Sequence, residues 1–126
     1  MNGYLIVFIG AGLGGMLRHA TNIFVPKVMG SGFPWHTLLI NVVGSLAIGL
    51  FAGFFAFKSD ATAHWRLFLT TGICGGFTTF SAFSLDAVTL YERGEPGASA
   101  IYIVASVVAA LIALVIGLWA MRTAFG

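Results

Sequence analysis

Four long apolar runs, separated by short polar or turn-rich connections, set the pattern of the chain. The first runs from Gly3 to about Val25, the second from Phe33 to Phe57, the third from Arg66 to Tyr91 and the fourth from Gly97 to Met121. Each reaches the roughly 20 residues that a helix needs to cross a bilayer core. The pattern predicts an all-α membrane protein of four transmembrane helices forming one integral domain over 1–126. The first run lacks the charged start and small-residue cleavage site of a secretory signal, so it is expected to stay in the mature protein. Lys27 to Gly32, Lys58 to Trp65 and Glu92 to Pro96 are the connections.

The third run is unlike the others. Gly75-Gly76-Phe77-Thr78-Thr79-Phe80-Ser81-Ala82-Phe83-Ser84 joins adjacent glycines to hydroxyls and aromatics. Gly75 and Gly76 are expected to weaken the helix near mid-membrane, and the backbone groups they free must find protein, ion or water partners. Irregular backbone at that depth marks a candidate site.

Composition supports the class. The 126 residues are 59% hydrophobic and 8% charged, with mean hydropathy +0.99, against about 25% charged for a soluble domain. A formal net charge of +2 rests on too few groups to build a nucleic-acid surface. The single cysteine, Cys74, excludes an intrachain disulfide and reads as a small buried hydrophobe. Gly10-Ala11-Gly12-Leu13-Gly14-Gly15 imitates a dinucleotide-binding turn, but no acidic residue occurs before Asp60 to hold a ribose. An enzyme is not expected, because no nucleophile, base and orienting group can be grouped.

The basic residues divide evenly. Lys58, Arg66 and Arg122 fall on the amino-terminal side, and Arg18, Lys27 and Arg93 on the other. Orientation follows Lys/Arg asymmetry, so an even division predicts insertion either way up and permits an antiparallel homodimer. Gly10 with Gly14, Gly49 with Gly53, and the series Ala105, Ala109, Ala113 and Gly117 are small-residue seams for close helix packing.

Polar groups within the runs are mostly hydrogen-bond donors. Thr37, Asn41 and Ser45 lie at i, i+4, i+8 in the second run, and Tyr102 and Ser106 at i, i+4 in the fourth; Thr79, Ser81 and Ser84 join them from the third. Their two readings are interhelical glue and a pore lining. Arg18 either snorkels to the interface or attracts anions to a vestibule. Asp86 is the only carboxylate inside the runs and lies near an end, so a proton-coupled cation pathway lacks its usual group. A donor-lined anion pathway fits better. A small multidrug-type cation transporter and a non-transporting assembly subunit are the alternatives.

The chain resembles the CrcB/Fluc family of small bacterial fluoride channels over nearly its whole length. The matching pieces are Gly10 to Arg18, Asn41-Val42-Val43-Gly44-Ser45, Thr71 to Ser84 and Glu92-Arg93-Gly94, with the G-G-x-T-T-F-S-x-F-S core the specific one. The resemblance implies an antiparallel dual-topology homodimer in the inner membrane, with two pores, passive fluoride export and a central structural sodium ion. By position it makes Phe80 and Phe83 the pore phenylalanines, Asn41 the pore asparagine, and Tyr102 and Ser106 polar groups along the path. The carbonyls of Gly75 and Thr78 would hold the sodium. Asp86 and Ala82 depart from the residues usual in the family. Physically, fluoride needs close donors to replace its water, and the positive edge of an aromatic ring can supplement them; ordinary packing is the other role for Phe80 and Phe83.

Overall fold

The computed structural model describes residues 2–57 and 63–126, so Lys58, Asp60 and much of the Lys58 to Trp65 connection lie outside the described residues. Helix α1 spans Gly3–Met29 and α2 spans Trp35–Phe57. The third span comprises α3 (Ala63–Leu67), a π-helical segment (Phe68–Cys74), α4 (Gly75–Phe77) and α5 (Ser81–Glu92). Helix α6 spans Pro96–Phe125. Four helical stretches, at 3–29, 35–56, 63–92 and 96–125, are long and apolar enough to cross a membrane. No strand occurs among the described residues.

The ends of the helices follow local chemistry. Asn2 caps α1, its side chain accepting from the Tyr4 N–H at 2.6 Å. The helix continues through Pro26 to Met29, one turn beyond the expected end at Val25. Proline near the last turn removes one donor, whereas unwinding within an apolar layer would free several groups. Gly30 then closes the helix at φ 83°, its N–H donating to Pro26 O at 2.9 Å. Phe33 and Pro34 precede α2 instead of opening it, and Pro96 occupies the first turn of α6.

Packing divides the bundle into two close pairs. α1 lies against the third span, where a Cβ on Gly10 would sit 2.9 Å from the Gly72 Cα and one on Gly76 would sit 2.7 Å from the Ala11 Cα. α2 lies against α6, where a Cβ on Gly49 would run into the Leu114 carbonyl and one on Gly117 would be 2.7 Å from Leu46 O. These approaches leave no room for a side chain, which gives Gly10, Gly49 and Gly117 the seam roles expected of them. Ala113 and Gly117 are buried along α6 together with Tyr102 and Ser106. Leu90, Ala87 and Tyr102 make a small core with Phe33 and Phe83 packed around it, and Ser99 Oγ ties α6 to α5 by donating to Ala87 O at 2.7 Å.

Candidate functional site at the interruption of the third span

Helical geometry passes through Gly75 and Gly76 and is lost at Thr78. This corrects the expectation that the two glycines would be the weak point: Gly75 has helical φ −62° and ψ −39°, whereas Thr78 is extended at φ −80° and ψ 160°. The glycines instead serve packing, since Gly76 meets Ala11 of α1 with no space for a Cβ.

A side chain from the neighbouring helix holds the interruption open. Asn41 of α2 accepts from the Thr79 N–H through Oδ1 at 2.9 Å and donates from Nδ2 to the Thr79 carbonyl at 2.9 Å. The amide therefore satisfies both backbone groups of Thr79. Thr79 in turn caps α5, its hydroxyl accepting from the Ala82 N–H at 3.1 Å. Thr78 bonds backward, with N–H and hydroxyl both donating to Cys74 O, at 3.0 and 2.9 Å.

The carbonyls of residues 75–78 all lack their helical donors here, and for two of them the donor is visibly redirected. The N–H four residues beyond Gly75 belongs to Thr79 and that beyond Thr78 belongs to Ala82, and both are redirected to side-chain oxygens. The Gly75 and Thr78 carbonyls, like those of Gly76 and Phe77, therefore have no helical donor among the described residues, and Gly75 lies on an exposed surface of the chain.

Beside the interruption lies a cleft of about 210 Å³, lined by Asn41, Thr79, Phe80, Phe83 and Ser106, with Val107 and Ala110 as its apolar wall. It brings together five of the residues expected to line an ion path. The Phe80 and Phe83 ring centroids are 5.7 Å apart, and Phe80 is 79% exposed, so that ring is not packed into this chain's own core. Ser106 Oγ is buried and has no hydrogen-bond partner among the described residues. A buried hydroxyl costs free energy when unpaired, so its place on a cleft wall invites a guest acceptor. One N–H of the Asn41 amide is uncommitted in the same space.

A second polar cluster continues from the first. The Phe83 ring lies 5.2 Å from that of Tyr102, which is fully buried. Tyr102 OH donates to Asp86 Oδ2 at 3.3 Å, and Thr37 Oγ1 donates to the same oxygen at 2.6 Å. Thr37 and Tyr102 therefore meet, as expected of path residues, but around a carboxylate that sequence reasoning did not include in the site. The usable signal was spacing, since Phe83 and Asp86 lie at i, i+3 on one helix.

Other expected residues stand apart. Ser84 Oγ donates to Phe80 O in its own helix at 3.0 Å, and Ser81 is exposed; neither lines the cleft. Arg18 is half-buried on α1, away from the cleft walls.

Four apolar spans, one of them interrupted beside a cleft, define a small multi-pass membrane protein. The chain belongs to the CrcB family: residues 5–118 match the family described as CrcB-like protein, Camphor Resistance (CrcB). It is 56% identical over 119 residues to the fluoride-specific ion channel FluC of Rhodopseudomonas palustris (strain BisB5), covering 94% of this chain and 96% of that protein. It is 54% identical over 123 residues to the FluC of Granulibacter bethesdensis, covering 98% and 97%. FluC 2 of Nitrobacter hamburgensis is 53% identical over 119 residues, covering 94% and 96%.

Proposed function

We propose that this protein is a fluoride-selective passive channel of the bacterial inner membrane that lets fluoride leave the cytoplasm. The observation that carries the reading is the cleft that brings two phenylalanine rings together with the buried Ser106 hydroxyl, which has no hydrogen-bond partner among the described residues. Its likeness, over nearly its whole length, to proteins named fluoride-specific ion channels supports the same reading. Fluoride sheds tightly held water only where close donors replace it, and Ser106 Oγ, the uncommitted Asn41 N–H and the ring edges of Phe80 and Phe83 offer that replacement. Beyond Phe83 the next donors are the Tyr102 and Thr37 hydroxyls, both turned onto Asp86. An ion passing there competes with the carboxylate for those protons, so Asp86 acts as an internal rival that keeps the hydroxyls oriented. Fluoride efflux from proteoliposomes, read with a fluoride electrode, tests the function.

The working unit in this reading is an antiparallel homodimer with two pores. Even division of the basic residues supports it, as does the outward exposure of Phe80, which a second copy would cover. At the axis of such a dimer, the open carbonyls of Gly75 and Thr78 and their symmetry mates have the hard-oxygen chemistry for a structural sodium ion, whose charge would hold the two interruptions together. The redirected Thr79 and Ala82 N–H groups are the fit. Melting of the purified dimer should be higher in sodium than in N-methylglucamine at equal ionic strength. Identical melting in both would remove sodium from the account.

A further inference from the structure

A cavity of about 210 Å³ at the loop end of the third span also has Asp86 in its wall. Its walls include Ser31, His36, Asp86, Thr89 and Arg93. Asp86 is thus shared with the Thr37 and Tyr102 hydroxyls, and the Tyr102 ring in turn lies 5.2 Å from that of Phe83 on the cleft wall.

Arg93 is built into this wall. One guanidinium nitrogen, Nη2, donates both to Gly32 O at 3.0 Å and to Glu95 Oε2 at 2.9 Å, tying the loop before α2 to the loop before α6. The N–H groups on Nε and Nη1 make no hydrogen bond among the described residues, so the head is positioned while keeping donors for an anion. The charged residues lining this space are Arg93 and Asp86, with His36 as the titratable neighbour, and Arg93 is paired with Glu95 beside it. Arg93 is the only lysine or arginine on this wall, and without it Asp86 and the neighbouring Glu95 would stand unopposed. Arg18 and Lys27, the other basic residues assigned to this side, are not on the cavity wall.

We propose that this cavity is the second mouth of the anion pathway, at which Arg93, assisted by His36, gathers a small hard anion before it meets the Thr37 and Tyr102 hydroxyls. The inference rests on the channel reading above. It assigns to Arg93 a steering role and to Asp86 the boundary between mouth and cleft.

The test puts opposite charges on one folded protein. R93C in proteoliposomes should carry fluoride about ten-fold more slowly than wild type, the lower range for loss of a steering charge in a cleft. Labelling that cysteine with a cationic methanethiosulfonate should restore flux toward wild type, and an anionic one should not; wild type treated in parallel controls for Cys74, which is 3% exposed. K27Q should keep wild-type flux. Should the cysteine variant fail to reconstitute, R93K should retain flux and R93Q lose it. Equal flux with both labels, equal loss in R93K and R93Q, or a K27Q defect matching that of Arg93 would overturn the mouth. Wild type that carries no fluoride would instead overturn the channel reading on which it depends.

Discussion

Replacing Asn41 by alanine tests how the interruption of the third span is maintained. The substitution removes two hydrogen bonds of 2.9 Å and strands the Thr79 N–H and carbonyl at membrane depth. Side-chain hydrogen bonds between membrane helices average about 0.6 kcal/mol each, whereas a buried group left unsatisfied costs about 1–3 kcal/mol. The second effect should win, because Asn41 is the only side chain among the described residues that hydrogen-bonds the Thr79 backbone. Both groups are only partly buried, so the expected destabilisation is about 2 kcal/mol, the low end for a stranded pair. N41D should fall between N41A and wild type in folding, since it still accepts from the Thr79 N–H but sets an oxygen against the Thr79 carbonyl. Thermal unfolding of the purified protein reads the stability and a fluoride electrode reads the flux. An alanine variant that melts and conducts like wild type would refute the idea that Asn41 holds the span open.

Further outcomes follow from the same geometry. F83I should cut fluoride flux by about ten-fold or more while leaving assembly intact, because isoleucine fills space yet has no positive ring edge; undiminished flux with F83I would return the ring to packing against Tyr102. S106A should slow fluoride entry without lowering stability, since the hydroxyl it removes has no partner to lose; a loss of stability with unchanged flux would mean that Ser106 is structural. G49V should prevent recovery of folded protein, because any side chain there meets the Leu114 backbone, and its failure costs about 2 kcal/mol or more. Size-exclusion profiles after mild solubilisation check it, with a wild-type profile as the contrary result.

Much of this arrangement was legible in the residues, and the exceptions have a common physical origin. Runs of apolar residues locate the spans because the bilayer imposes length and hydropathy, and Gly49 and Gly117 declare close packing because nothing larger fits. The place of the interruption was misread, since Gly75 and Gly76 looked weak by propensity whereas Thr78 to Phe80 leave the helix through an amide 38 residues away in sequence. Propensity is local and this bond is not. Asp86 was passed over for a related reason: its position near a helix end looked peripheral, but its chemistry comes from Thr37 and Tyr102 on two other helices. Hydroxyls were the hardest to sort, because Ser84 satisfies itself on its own helix while Ser106 does not, a difference set by burial and neighbours.

Anion selectivity tests the central claim most directly. Proteoliposomes containing only this protein, loaded with equal fluoride and chloride and diluted into an impermeant anion with valinomycin and potassium to balance charge, report both effluxes by electrode. Rapid fluoride efflux with chloride retained is the predicted result. Equal loss of both anions, or retention of both, would contradict it.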